Sequence, residues 1–111
     1  MRSWERVGEF TAPKGFPQRF SINLDTLRAV KEVRFAVDDG EVRVTRVTGE
    51  TASGTLVNLS QLEGDFSGGT SYSRRVHGQY AIRLQRIELE IVSKNLRGSR
   101  AKVEVFVGYT R

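Results

Sequence analysis

The sequence has no cysteine and one histidine, His77. Disulfide frameworks, thiolate zinc sites and cysteine nucleophiles are therefore excluded, and most metal and acid–base constellations go with the missing histidines. Proline is scarce, at two residues, and there is one tryptophan. No stretch without charge approaches the length of a membrane span, so membrane insertion is not expected. Residues 2–16 are mixed polar and lack the apolar run of a secretory signal. An exported chain whose signal has been removed would look the same, so this absence does not fix the compartment.

What remains is a chain of 111 residues, the size of one domain covering residues 1–111. Hydrophobic residues make up 38% and charged residues 28%, enough apolar material for a core in a soluble protein. The formal charge of +5 is unevenly spread: residues 1–71 carry nine Lys/Arg against ten Asp/Glu, and residues 72–111 nine against three. Arginine supplies 14 of the 18 basic side chains, and its planar fork suits carboxylate, phosphate or sulfate partners. Charged residues on exposed strands also keep β proteins soluble, and that plainer reading is preferred.

Helical periodicity is nearly absent, whereas alternation of apolar and polar residues recurs from end to end, which predicts an all-β chain. Phe20, Ile22 and Leu24 alternate with polar neighbours, as do Val33, Phe35 and Val37. Asp38-Asp39-Gly40-Glu41 then predicts a tight hairpin onto a strand carrying Val42 and Val44. Apolar parity slips after Val44 and again across Gln85-Arg86, which predicts a bulge near Thr45-Arg46 and either a bulge or a strand changing sheets at the second place. Leu56 to Leu59, the run from Ile87 to Ile91, the valines of 101–107 and a less regular strand through Trp4, Val7 and Phe10 complete seven or eight strands. Two packed antiparallel sheets, a β-sandwich, accommodate them best. Residues 25–31 read either as one helical turn, capped by Asp25, or as a plain connection. The segment 60–71, with three glycines, reads as a long ligand-facing loop, and the segment 94–100 as a basic connection.

The succession Gly-Thr-Leu-Val-Asn-Leu, a glycine-rich loop, Ser-Arg-Arg-Val, Ala-Ile-Arg-Leu-Gln-Arg-Ile-Glu-Leu-Glu-Ile, a basic loop and Ala-Lys-Val-Glu-Val-Phe-Val-Gly resembles small exported bacterial β-sandwich proteins of uncharacterised function. The resemblance covers roughly residues 20–108, with Ile82, Ile87, Val105 and Gly108 at the matching positions. It implies a jelly-roll-like sandwich and a periplasmic or secreted location, and it brings no catalytic residues.

Several side chains are candidates for chemistry, each beside a plainer role. Arg74, Arg75, Lys94, Arg97 and Arg100 are the candidate polyanion-binding patch. Glu63, Asp65, Phe66 and Tyr72 are the candidate ligand loop. Phe66, Tyr72 and Phe106 are available for stacking, yet aromatics are too sparse for a nucleic-acid platform, which argues against nucleic acid as partner. Asp38, Asp39 and Glu41, and separately Glu63 with Asp65, are weak calcium candidates, read instead as solvated turns, so no metal is assigned. Glu88 and Glu90 share a strand face as a hydrolase pair would, but ion pairing with neighbouring arginines or Lys102 is the preferred reading. His77 finds no Gly-x-Ser-x-Gly elbow to serve. Trp4 is read as core in preference to a sugar-stacking face. The expectation is a non-enzymatic binding or structural module without cofactor, associating with a protein or cell-envelope component. The alternative is an anionic glycan or other polyanion bound through the C-terminal basic patch.

Overall fold

In the computed structural model the alternating runs form nine antiparallel strands among the described residues, which are 3–38, 40–68, 71–75, 81–94 and 101–109; residue 3 and residues 71–75 are described by backbone alone. The strands are β1 (Ser3–Thr11), β2 (Gln18–Asn23), β3 (Val30–Asp38), β4 (Glu41–Thr51), β5 (Leu56–Asn58), β6 (Gly64–Ser67), β7 (Ser71–Arg75), β8 (Leu84–Ser93) and β9 (Lys102–Tyr109). One sheet, here A, has the order β1-β9-β3-β7. The other, B, has the order β2-β8-β4-β5, with β6 also paired to β4. From β1 to β4 each strand changes sheet; β5 and β6 stay beside β4, and β7, β8 and β9 alternate again. This is the double-sheet jelly roll, so the chain is an all-β antiparallel sandwich of jelly-roll type.

The core is the set of inward rows. In sheet A, Val33, Phe35 and Val37 of β3 lie opposite Val107, Val105 and Val103 of β9. In sheet B, Val44 pairs with Ile91 and Val47 with Leu89. All ten are buried, each contributing about 1.5–3 kcal/mol of transfer free energy. Phe10 and Phe20, with ring centroids 4.5 Å apart, close one side between β1 and β2.

Both parity slips are bulges. β4 shifts register between Val44 and Arg46, and opposite Glu50 and Thr51 the partner strand passes from Arg86 to Leu84, leaving Gln85 as the extra residue. Val47 and Ile87 are thereby returned to the core. A third shift lies in β1 between Arg6 and Gly8.

Two expectations are corrected. First, β3 and β4 are not a hairpin pair: β3 is flanked by β9 and β7, and β4 by β8 on one side and β5 and β6 on the other. Gly40 does take positive φ, at 117°, but the turn carries the chain across the sandwich. The reason is that both strands present valines inward, and these rows bury each other from opposite sheets, which a shared sheet would not allow. Second, the segment 60–71 is not a free loop. It contains a 3-10 turn, Ser60–Leu62, and β6, and it places Leu62 and Phe66 at 0% exposure. Of the two readings of residues 25–31 the plain connection is the one observed, with Asp25 accepting the Leu27 N–H at 2.9 Å.

Candidate functional site

The proposed basic patch is not assembled as one surface among the described residues. Register puts Arg75 opposite Glu32, near the start of β3, whereas Lys94 follows Ser93, which pairs with Val42 beyond the far end of β3. These positions lie toward opposite ends of the sandwich. Lys94 is moreover engaged: its Nζ is 2.8 Å from Glu41 Oε1 and 3.1 Å from Asp65 Oδ2. Arg97, Arg100, His77 and Asp39 lie outside the described residues, and Tyr72, Arg74 and Arg75 are placed by backbone alone.

The remaining residues of the supposed ligand loop have structural partners. Phe66 packs on Phe35 with centroids 5.1 Å apart, so it is a core residue and not a stacking platform. Its burial follows from β6 pairing with β4, which turns Phe66 inward beside Val42. Glu63 serves the β4 bulge. Along that edge β6 covers Glu41 to Val44 and β5 covers Thr48 to Glu50. In the gap the Val47 N–H donates to Glu63 Oε2 at 3.2 Å, while the Leu59 N–H donates to the Val47 carbonyl at 3.1 Å. Asp65 accepts from Arg43 Nε at 2.9 Å and from Lys94. The hydrogen bond from Arg43, then that from Lys94, holds its carboxyl below the usual carboxylate range. Hydrogen bonds to Glu41 and then Asp65 hold the Lys94 ammonium above its ordinary value. Glu63 and Asp65 are thus committed to different donors.

The outer face of sheet A carries the aromatic surface. Trp4 is opposite Gly108 in the β1/β9 register. A Cβ built on Gly108 would lie 3.2 Å from the Trp4 ring, so the missing side chain is what lets the indole lie across β9. On the far side it meets Arg34 of β3, whose guanidinium carbon is 4.1 Å from the ring centroid. Trp4 is therefore half-buried on an outer face and is not core. Phe106, also half-buried, lies in register between Arg6 and Arg34. At one end of the sandwich Arg28 stacks 3.8 Å above the Tyr109 ring and donates to Glu5 at 2.7 Å, pinning the β2–β3 turn to β1 and β9. Burial pushes the Tyr109 phenol up.

The outer face of sheet B is a grid of polar side chains in three rows. Its middle row is Ser21, Glu88, Thr48 and Asn58, on β2, β8, β4 and β5. Arg19, Glu90 and Arg46 form the row on one side, and Asn23, Arg86, Glu50 and Leu56 the row on the other. An open groove of about 500 Å³ over β4, β5 and β8 continues into one of about 150 Å³ toward Arg19. Glu88 and Glu90 hold arginines: Arg19 is 3.5 Å from Glu90, and Arg86 is 3.4 Å from Glu88 while giving two hydrogen bonds of 3.1 Å to Glu50. Arg46, exposed at the bulge, has no ion pair among the described residues. Among those residues no group of three His, Asp or Glu is placed to hold a metal ion, and no helix is long and apolar enough to cross a membrane.

Sequence reasoning missed both faces. The outward parity of Arg34, Arg46 and Thr48 was readable, but their assembly with Trp4 or Asn58 depends on strand order, which alternation does not encode. No family model and no curated protein matches the sequence. Among solved structures the chain is similar to one of infectious bursal disease virus Gt strain, at 11% identity and TM-score 0.52, covering 96% of this chain and 32% of that one. It is also similar to Tobacco streak virus coat protein (8% identity, 99% and 86% covered, TM-score 0.48) and to SPBc2 prophage-derived protein YomS (14% identity, 97% and 93% covered, TM-score 0.45). The last two likenesses are too loose to carry an argument, and the first shows shared fold: this chain is built as a jelly-roll sandwich.

Proposed function

We propose that this chain is a non-enzymatic binding module that associates with a protein partner through the outer face of sheet A. The observation that carries the reading is the Trp4 ring laid over Gly108 and stacked by Arg34, beside the half-buried Phe106. Tryptophan and arginine are among the side chains most enriched at interface hot spots, tryptophan because it buries a large area at low entropic cost and arginine because its planar fork offers several hydrogen-bond donors. A solvated face has no need of two aromatics flanked by arginines. A periplasmic or secreted setting, with a cell-envelope component as partner, goes with the resemblance in the sequence. The polyanion alternative is weaker, because Lys94 is committed to two carboxylates and lies at the other end of the sandwich from Arg75.

The test is affinity capture from an envelope fraction of the source cells, quantified by mass spectrometry, with the wild-type chain, Trp4→Ala and Arg34→Ala as baits. A protein retained by the wild type and lost from both variants is expected, followed by a change in Trp4 emission when it is added in purified form. Equal retention by all three baits would count against the face.

A further inference from the structure

We infer that the partner of the sheet A face is a second copy of this chain, docked face to face about a two-fold axis that runs along the strands between β9 and β3. The inference rests on the reading of that face as a protein-binding surface and names its occupant. The charges on the face favour a copy over a foreign partner. Most are already balanced within the chain: Arg6 is 3.1 Å from Glu9 and 3.3 Å from Glu104, Arg34 lies on the Trp4 ring, and Glu32 is in register with Arg75. A face so nearly neutral has no net sign with which to select a strongly acidic or basic partner. The exceptions are Lys102 and Asp38. They are cross-strand neighbours at one end of the β9–β3 pair, both are exposed, and neither has an ion pair among the described residues.

Strand order makes these two charges self-complementary. β9 and β3 are the central strands of the order β1-β9-β3-β7, so a half-turn about an axis between them exchanges the two and keeps each cross-strand row level. Lys102 then comes over Asp38 of the second copy, and Asp38 over Lys102 of the second copy. In the row of Phe106 and Arg34 the same half-turn sets Phe106 over Arg34 of the second copy, a guanidinium–ring contact made twice. A half-turn about an axis across the strands, centred on the same rows, sets Asp38 over Glu32 of the second copy, like against like. The long Lys102 stem spans the twist of about 30° between stacked sheets. Four strands, with β9 eight residues long, give a footprint of roughly 500 Å² at ordinary strand spacing. A standard interface takes roughly 800 Å² per partner, so the dimer is weak and concentration-dependent.

The full-length chain is followed by sedimentation equilibrium from about 10 μM to about 1 mM, in low salt and in molar sodium chloride. A monomer–dimer equilibrium within that range is expected, weaker in high salt. Lys102→Glu and Asp38→Lys are each expected to weaken it about tenfold, because each sets like charges against one another at two symmetric contacts. The two variants mixed in equal amounts are expected to associate as the wild type does, since the mixed dimer restores both opposite-charge contacts between chains. A repair within one chain cannot produce that rescue. A monomer at every concentration, a dimer indifferent to both variants, or variants that stay apart when mixed would overturn the second copy as partner. None of these outcomes touches the reading of the face itself, whose failure is equal retention by the Trp4→Ala and Arg34→Ala baits.

Discussion

Glu63 and Phe66 lie in a segment rich in glycine and serine, yet Glu63 completes β4 and Phe66 completes the core against β3. Phe66 fills the space against Phe35 at 0% exposure, so Phe66→Ala is expected to cost about 3–5 kcal/mol in urea denaturation, the range for deleting a buried aromatic. Glu63 satisfies the Val47 N–H where neither β5 nor β6 can. Its replacement by alanine is expected to cost about 1–3 kcal/mol, and Glu63→Gln, which keeps an acceptor, distinctly less. A cost equal for the two variants would mean that packing and not the hydrogen bond is what Glu63 contributes. Gly108→Ala puts a methyl group 3.2 Å from the Trp4 ring. The ring must lift, and the single tryptophan's emission is expected to shift toward the red of a more hydrated indole.

At the scale of elements, β6 is tied to β4 and to the end of β8 by Arg43, Asp65, Lys94 and Glu41. Asp65 is held below its ordinary value of 3.8, so its pairing contributes above that pH and is lost as pH falls through the lower folded value. Lys94 is held above 10.5, so its share is present below that pH and is lost as pH rises through the higher folded value. Melting temperature measured from about pH 2 to 5 is therefore expected to fall less steeply in Asp65→Asn than in the wild type. The difference should shrink in molar salt, because these side chains are exposed and screened. Elements are also where the sequence was legible and where it stopped. Val44 to Val47 announced a bulge, and Leu84 to Ile87 announced a slip that left a bulge and a change of sheet both open, because parity is a property of one strand. Asp38-Asp39-Gly40 announced a turn correctly and its consequence wrongly, since the same residues serve a hairpin and a crossing between sheets. The 60–71 segment hid β6 because glycine and serine dominate its composition, although Phe66 between Asp65 and Ser67 already alternated. The usual burial of tryptophan points Trp4 to the core, and nothing short of the β1-β9-β3 order reveals that Arg34 and Gly108 hold it outside.

For the whole molecule, the side chains that meet on the two outer faces do so only because of which strands are neighbours. β9 joins β1 to β3, and β8 joins β2 to β4, so nearly every pairing connects residues far apart in sequence. Such topologies close long loops before they gain contacts, and refolding from urea is expected on the scale of milliseconds to seconds; a microsecond phase carrying the full amplitude would not fit. The same neighbours place Trp4 beside Arg34 and Thr48 between Glu88 and Asn58. Cross-strand nuclear Overhauser contacts test that arrangement most directly. The account predicts backbone contacts of Phe35 with Val105 and of Val44 with Ile91, with none between Val37 and Val42. A ladder of contacts joining β3 to β4 around Gly40 would contradict it, and would separate Trp4 from Arg34 and Thr48 from Glu88 together.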